Sequence, residues 1–352
     1  MSSRILKVFG AVLVTLASTA VQAQNDAPFT ENWAPAEWGP EDKAGAVNRT
    51  TPQMVLAAVG LVKQGKVATL GKIYQPDAPF FGDRGYKMTI PAFPPPGSVG
   101  PEALVGLSEF VATEIGQVGT QFDGPGHIGV RTSKGDFFYN GRILSEVGNS
   151  SGLGPLGVQH VGQIGFVCRG VLLNAAAYRG VDQLPIPAPP PNAGDPGIIT
   201  DADVEAMVEA QGIAPIGEGD CVFLYTGHGN IWHPRDWDTF SAAEKRQRIT
   251  EFNSGAPGFG ISACEYMASK KIILTGADTW PTEAVAAGTF GGENPQPFEC
   301  HMNMMTKRGI WNLENLDLTQ LVEDGVSEFL FAWSPLKLKG ATGSPGNPVA
   351  MY

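Results

Sequence analysis

Four polar side chains able to bind a cation or move a proton lie within eleven residues of this chain. They are Gln117, Gln121, Asp123 and His127, and the glycines at positions 116, 119, 124 and 126 lie among them. Glycine lets the backbone bend tightly, so that neighbouring side chains can converge on one point. The spacings of 4, 2 and 4 are even, so on an extended strand the four side chains would share one face. This pattern suits a metal centre with an open coordination position.

The same segment is also compatible with a purely structural turn. Asp123 can accept a backbone hydrogen bond in an Asx turn, and glycine-rich polar loops are common. An amide is also a weak, neutral ligand when it is compared with imidazole or carboxylate. The segment by itself therefore leaves both interpretations open.

Short strands and a few helices must position this segment. The 45 glycines and 28 prolines predict many loops, while a 43% hydrophobic content is sufficient for a core. Strands are predicted at residues 110–118, 166–173, 221–225 and 272–274. Helices are predicted from the N-cap Thr51 to Gly65, from Thr200 to Gly212, and from a Ser262/Glu265 capping box to Lys270. Together these elements predict a mixed α/β domain.

Two proline-rich segments interrupt this pattern. Residues 75–107 lack periodicity and are predicted to form a long loop or lid of the kind that covers a site. Residues 184–192 are predicted to be a surface loop, because strand and helix patterns resume directly after them.

The first 23 residues have the pattern of a cleaved signal peptide. Arg4 and Lys7 precede an apolar run at residues 8–17, which is too short to span a bilayer, and Val21-Gln22-Ala23 supplies the small residues of a cleavage site. We therefore expect a periplasmic or secreted protein whose single domain covers residues 24–352. A buried N-terminal helix is the alternative interpretation.

The charge of the chain argues against two classes of partner. The net charge is −11, and removal of the two cations of the signal peptide makes it −13. An acidic surface does not favour nucleic acid or an anionic membrane, so the expected partner is a small-molecule substrate.

The four cysteines do not show the spacing of a zinc or thioredoxin motif. They are Cys168, Cys221, Cys264 and Cys300, and no two form a Cys-x-x-Cys pair. Export permits disulfides, but buried free thiols fit the sequence equally well, and the spacing assigns no pairing.

The segment 117–127 resembles a known motif. The cyclase/kynurenine-formamidase-like hydrolases carry His-x-Gly-Thr-His-x-Asp-x-Pro-x-His, and this chain reads Gln-Val-Gly-Thr-Gln-Phe-Asp-Gly-Pro-Gly-His at residues 117–127. Gln117 and Gln121 stand where the family has its first two histidines. Lactone hydrolases similar to trans-dienelactone hydrolase are relatives with a glutamine-containing version of this motif.

Weaker motifs extend the resemblance over residues 36–350. They occur in the family's order: Trp38-Gly39-Pro40-Glu41-Asp42, Tyr139-Asn140-Gly141, Gly219-Asp220, Gly276-Ala277-Asp278, Glu314-Asn315-Leu316 and Pro335-Leu336-Lys337-Leu338. Each is unspecific alone, but in register over nearly the whole mature chain they identify it as similar to this family.

The resemblance implies a fold, a cofactor and roles for residues. The fold would be a single α/β domain of the swivelling β/β/α type, with short strands and long loops. A divalent metal, zinc or manganese, would be bound at Gln117, Gln121 and Asp123, with His301 approaching the same site. His127 would act at the scissile bond, as general base and then general acid, or would assist a second metal. Glu314 would orient His127 or bind a second ion.

The resemblance also implies an assembly and a reaction. Relatives form dimers or tetramers through an N-terminal arm, a role that residues 33–38 would fill here, so a homodimer or homotetramer is expected. The reaction would be hydrolysis of a small cyclic amide, acyl amide or lactone by metal-activated water. Since amide oxygens suit zinc less well than imidazole does, the two glutamines favour manganese. The alternative function is an exported, non-catalytic binding protein with a degenerate metal site.

Overall fold

A mixed sheet of nine strands organises residues 32–233, 235–289 and 298–352, which are the residues described by the computed structural model. The predicted signal peptide, residues 1–23, lies outside the described residues. Within the described residues the strands are β1 (Val67–Thr69), β2 (Tyr86–Thr89), β3 (Phe110–Thr113), β4 (Gln121–Asp123), β5 (Val130–Thr132), β6 (Gly135–Phe138), β7 (Arg142–Ile143), β8 (Phe166–Asn174), β9 (Ile198–Ile199), β10 (Cys221–Tyr225), β11 (Gly258–Phe259), β12 (Leu274–Ala277), β13 (Trp311–Glu314), β14 (Glu328–Trp333), β15 (Gly343–Pro345) and β16 (Val349–Met351).

Helices are short and lie between these strands. Those described are α1 (Pro52–Val59), α2 (Leu144–Val147), α3 (Ala175–Arg179), α4 (Asp201–Ala210), α5 (Ala242–Asn253), α6 (Ile261–Ser269) and α7 (Thr319–Glu323), with one turn of π-helix at His301–Thr306. Short 3-10 helices occupy Gly45–Arg49, Tyr139–Gly141, Gly154–Leu156, Val158–Gln163, His228–Trp232 and Trp237–Thr239. The expected mixed α/β fold with short strands and long loops is confirmed.

The nine-stranded sheet runs in the order β1-β16-β14-β8-β10-β12-β13-β4-β15. Strands β8, β10, β12 and β13 are parallel, and antiparallel strands flank them on both sides. All five residues of β10 are buried, as expected of a central strand that is covered on both faces. The antiparallel pair of β4 and β13 lies near one end of this sheet and carries the candidate site.

Local signals predicted some element boundaries and missed others. Thr51 caps α1 by accepting a hydrogen bond from the Met54 amide, and Thr200 forms a capping box with Asp203 at α4. The capping box predicted at Ser262 is wrong: α6 begins after Gly260, and Ser262 lies inside its first turn, where its hydroxyl accepts from the Asp201 amide at 3.2 Å.

The segment between residues 75 and 118 also differs from the prediction. The predicted strand 110–118 ends at Thr113, because the chain turns before β4 and Gln117 has a left-handed φ of 61°. Part of the predicted loop 75–107 is strand β2, which pairs with β3 in an antiparallel hairpin. This segment is therefore an arm with its own short strands.

The four cysteines form two disulfides. Cys168 of β8 pairs with Cys221 of the neighbouring strand β10, and Cys264 of α6 pairs with Cys300. The second disulfide fixes the residue directly before His301. Among the described residues, no helix combines the length and the hydrophobicity that a bilayer span requires.

Candidate metal centre

The pairing of β4 with β13 places four polar side chains together. In the register of this pair Asp123 lies opposite Asn312, and Gln121 lies opposite Glu314. Residues two apart on a strand share a face, and opposed residues on paired strands are neighbours. All four are buried, with exposed fractions of 1% to 3%. Two carboxylates are thus held inside the protein by the main-chain pairing itself.

His301 completes a group of three ligand-capable side chains. Its Nε2 lies 3.3 Å from Oε1 of Glu314 and 3.8 Å from Oδ2 of Asp123. The ligand atoms of Asp123, His301 and Glu314 all lie within 4.8 Å of one another. The π-helical turn that carries His301 is an element found frequently at functional sites. Sequence positions 123, 301 and 314 therefore converge on one point.

His127 lies at the edge of this group. It follows β4 in a tight turn, in which its amide donates to the Gly124 carbonyl at 3.0 Å. Its Nε2 is 3.5 Å from Oδ1 of Asp123, and 28% of its side chain is exposed. Burial lowers the pKa of His127, and the nearby charge of Asp123 opposes this effect. His127 is thus a predominantly neutral imidazole at neutral pH, placed between the buried carboxylates and solvent.

Gln121 faces the carboxylates with its amide nitrogen. Its Nε2 donates to Oδ1 of Asp123 at 2.9 Å and to Oε2 of Glu314 at 2.7 Å. Its Oε1 accepts from the backbone amide of Gln117. A rotated amide would set its oxygen against two carboxylate oxygens and its NH₂ against an N–H donor, so the network fixes this orientation. In this arrangement Gln121 orients two carboxylates.

Gln117 reaches the same carboxylate from outside the strand. Its Nε2 donates to Oε2 of Glu314 at 2.5 Å and to the carbonyl of Trp280 at 2.9 Å. The even spacing in the sequence predicted that Gln117 would share one strand face with Gln121 and Asp123. That expectation is wrong, because Gln117 lies in the left-handed turn before β4. Both glutamines, predicted as metal ligands, are brought to the site, and both present N–H donors to carboxylates.

Glu283 is a site residue that the sequence reasoning missed. Its Oε1 accepts from Nδ1 of His301 and, at 3.1 Å, from the backbone amide of His301, while its Oε2 accepts from the Cys300 amide at 3.1 Å. Glu283 is 5% exposed. No sequence motif marks Glu283, and 18 residues separate it from His301. The available signal was an acidic residue upstream of a histidine that had already been assigned to the site.

The electrostatics of the group follow from burying several acids together. Burial and the charge of Asp123 raise the pKa of the Glu314 carboxyl. Burial also opposes ionisation of Asp123, but His127 and His301 offset it and lower the pKa of its carboxyl. Burial disfavours a charged His301, yet the nearby carboxylates of Asp123, Glu283 and Glu314 raise its pKa well above the ordinary value. The group as a whole attracts positive charge.

These residues fit a divalent cation. Oδ2 of Asp123 is buried and has no hydrogen-bond partner among the described residues, and a buried unpaired carboxylate oxygen is costly unless a cation or donor meets it. Asp123 and Glu314 offer oxygen, and His301 offers nitrogen. His301 also donates its other nitrogen to a carboxylate, as metal-binding histidines usually do. Glu314, expected to orient His127 or to bind a second ion, belongs with the candidate ligands.

The remaining histidines lie outside this group. His228 is buried, and its Nε2 lies 3.2 Å from the Phe252 carbonyl, so it is bonded to the backbone. Burial lowers its pKa to about 4, which leaves it neutral at neutral pH. His160 lies near the surface, with its Nε2 3.2 Å from the Gly154 carbonyl.

Comparison with known proteins places this arrangement in a family. Residues 48–284 match the model of the Cyclase family. Isatin hydrolase of Roseibium aggregatum is 31% identical over 162 residues, which are 46% of this chain and 55% of that protein. The chain thus spans about half the length of this curated relative.

Solved structures share the fold. A cyclase crystal structure that is 25% identical superposes with a TM-score of 0.72 over 90% of this chain and 99% of its own. Isatin hydrolase A of Labrenzia aggregata bound to benzyl benzoate is 20% identical and superposes with a TM-score of 0.52 over 85% and 97% of the two chains; this likeness shows the fold alone. The family model covers about two thirds of the sequence, including Asp123, His127 and Glu283. On this match, and with a fold shared over nearly the whole described chain, the protein belongs to the Cyclase family.

Proposed function

We propose that this protein is a metal-dependent hydrolase that opens a small cyclic amide. The observation that carries the proposal is the buried group of Asp123, His301 and Glu314, with the unpartnered Oδ2 of Asp123, beside the partly exposed His127. A bound divalent cation supplies Lewis acidity, which lowers the pKa of water and polarises a carbonyl. The two oxygen donors and one nitrogen donor favour manganese over zinc.

The protein's own residues would supply position and proton transfer. Nε2 of His127 is the atom that would accept a proton from the attacking water and return it to the leaving nitrogen. The side-chain amides of Gln117 and Gln121 donate to Glu314, and that of Gln121 also donates to Asp123. Nδ2 of Asn312 donates to Oε1 of Glu314 at 2.8 Å. These amide donors hold the carboxylates in one orientation while substrate binds and product leaves.

Aromatic side chains beside the site support a flat, aromatic substrate. Phe81 stacks on Trp280 with ring centroids 4.5 Å apart, and the Trp280 carbonyl accepts from Gln117. Phe298 meets the His301 ring edge to face at 5.4 Å. Phe81 and Phe298 are both partly exposed. The name of the similar protein, isatin hydrolase, points to a cyclic amide fused to an aromatic ring. A lactone or an acyl amide is the second substrate class to be tested.

The proposal is tested with metal-free protein that is reloaded with manganese or zinc. It is offered isatin, phthalimide, a small lactone and an N-formyl aromatic amine, and ring opening is followed by absorbance and chromatography. We expect hydrolysis of the aromatic cyclic amides, loss of activity with a chelator, and a decrease on the order of 10²-fold in His127→Ala at unchanged metal content. His160→Ala, at the surface, is the matched control.

Two outcomes would contradict the proposal. A protein that binds one metal ion per chain but hydrolyses none of these compounds would support the alternative, a binding protein with a degenerate site. Loss of metal from His127→Ala would make His127 a ligand and leave the base unassigned.

We also propose that the protein is exported and that residues 1–23 are removed. Support comes from the sequence pattern of residues 1–23 and from two disulfides, since disulfides persist mainly in oxidising compartments. Produced with its full N-terminus in a Gram-negative host, the protein should be recovered from the periplasm with an intact mass that begins at Gln24. Recovery from the cytoplasm at full mass would refute this.

A further inference from the structure

The disulfide between Cys264 and Cys300 joins helix α6 to the turn that carries His301. Cys300 directly precedes His301, whose Nε2 faces the carboxylates of Asp123 and Glu314. Both cysteines are buried, with 1% and 6% of their surfaces exposed. The covalent link between the two elements therefore ends one residue away from a candidate metal ligand.

The turn at His301–Thr306 depends on restraints from outside. Its π-helical geometry is rare in proteins, and the first amides of a helical turn lack partners within it. The amides of Cys300 and His301 donate instead to the carboxylate of Glu283, at 3.1 Å each. The start of the turn is thus held by two restraints, of which one is a carboxylate and the other is the disulfide.

The disulfide and the metal centre border one small cavity. Its volume is about 10 Å³, and its lining includes Cys264, Cys300, Glu283, His301 and Asn312. A space of this size is at the lower limit for a single water molecule. Because the two sulfur atoms help to fill it, the imidazole of His301 has little free space on this side. Separation of the sulfurs would enlarge the cavity and release the start of the turn.

The other disulfide of the chain lies away from the site. Cys168 and Cys221 join the neighbouring strands β8 and β10, and β12 and β13 stand between β10 and β4 in the sheet. The two bonds link residues that are 53 and 36 positions apart, so they restrict the unfolded chain to a similar extent. They should therefore differ in their effect on metal binding more than in their effect on stability.

We infer that the Cys264–Cys300 disulfide positions His301, and that the centre binds a divalent cation more tightly when this disulfide is formed. A dithiol reductant would transfer two electrons and two protons to the bond, giving two cysteine thiols and the oxidised, cyclic dithiol. Glu283 would then be the remaining restraint on the start of the turn, and His301 would also sample orientations that turn away from the two carboxylates. The role of the disulfide rests on the metal centre of the proposed function and not on the reaction assigned to it.

The expected size of the effect is a decrease in metal affinity of about 10-fold, the lower end of the usual cost of losing a support behind a metal-binding histidine. Metal binding and disulfide formation are then coupled in both directions. Bound metal must raise the equilibrium constant for disulfide formation by the same factor, about 10-fold. Manganese is the suitable probe, because free thiolates are good ligands for zinc and would compete with the site.

The first measurement is a redox titration of Cys168→Ala with Cys221→Ala, in which Cys264–Cys300 is the one remaining disulfide. The protein is held at graded ratios of reduced to oxidised dithiothreitol, with and without saturating manganese. Since both sulfurs are buried, each sample is followed until the fraction of thiols, trapped with iodoacetamide and counted by mass, is constant. Manganese should raise the ratio needed for half reduction by about 10-fold. An unmoved midpoint would overturn the inference.

The second measurement compares two disulfide deletions by manganese titration. Cys264→Ala with Cys300→Ala should bind manganese about 10-fold more weakly than the wild type, whereas Cys168→Ala with Cys221→Ala should keep the wild-type affinity. Both deletions should lower the melting temperature of the metal-free protein, since each opens a long loop. A change in metal affinity confined to the first deletion is therefore a result that a purely structural role would not produce.

The failure of this inference can be told from the failure of the proposed function. Equal manganese affinity in the wild type and in both deletions would overturn the positioning role alone. A wild-type protein that binds no manganese would overturn the proposed metal centre and the positioning role together. Circular dichroism shows whether each deletion is folded. The redox titration leaves Cys264 and Cys300 in place, so it decides the result if their deletion does not fold.

Discussion

An Asp123→Asn variant is expected to lose divalent-metal binding, with an affinity at least about 100-fold below that of the wild type. Asp123 provides the buried oxygen that lacks a hydrogen-bond partner among the described residues, at the point where His301 and Glu314 meet. Asparagine has the same shape, but it replaces one charged oxygen and cannot neutralise a cation. The measurement is metal content per chain after dialysis, together with a competition titration against a coloured chelator.

The fold of this variant should survive, which separates loss of a ligand from loss of structure. Asparagine keeps the shape of the side chain and an oxygen that can accept from Gln121, so the metal-free variant should stay folded, with a modest decrease in melting temperature because the charge that faces His301 is lost. The control is Asp278→Asn: Asp278 is as buried as Asp123 but accepts from Thr226 at 2.9 Å and 2.7 Å, away from the site. Full metal content in Asp123→Asn would show that the ion lies elsewhere.

A Glu283→Gln variant is expected to bind metal 10- to 100-fold more weakly, the usual effect of losing a carboxylate behind a metal-binding histidine. Glu283 accepts from three N–H groups, namely the two amides of Cys300 and His301 and Nδ1 of His301. These bonds hold a proton on Nδ1 of His301, so that Nε2, which faces Asp123 and Glu314, is the nitrogen that would bind a cation after losing its own proton. A glutamine puts an N–H donor where one of these donors points, which favours the other tautomer.

The test for Glu283 needs a result that a purely structural role would not produce. Metal affinity should fall in Glu283→Gln while the melting temperature of the metal-free protein changes little, and the ¹⁵N shifts of His301 should report the changed tautomer. Glu283→Asp, which keeps an acceptor, should restore part of the affinity. Glu265→Gln is the matched control, because Glu265 accepts from Asn303 on the same π-helical turn at 3.3 Å without contacting His301. Equal metal affinity in Glu283→Gln and wild type would refute the positioning role.

The sequence by itself identified Asp123, His127, His301 and Glu314 as residues that could take part in the site. Asp123 and His127 were identifiable because they sit at fixed offsets in a glycine-rich segment, and His301 and Glu314 because the resemblance extends that far along the chain. The buried strands at 166–174 and 221–225 were readable because continuous apolar runs of that length are typical of central strands. Caps at Thr51 and Thr200 were readable because capping is a local interaction.

Only the tertiary structure decided how those residues act. The direction of the Gln121 amide depends on Asp123, Glu314 and the Gln117 backbone, and no pattern along the chain encodes all three partners. Glu283 meets His301 because the chain folds back over 18 residues, and the pairing of Cys264 with Cys300 arises in the same way. Spacing predicts a shared face only while the backbone stays extended. At Gln117 the backbone is left-handed and not extended. The position of the Gln117 side chain therefore depends on its contacts with Trp280 and Glu314, which are distant in the sequence.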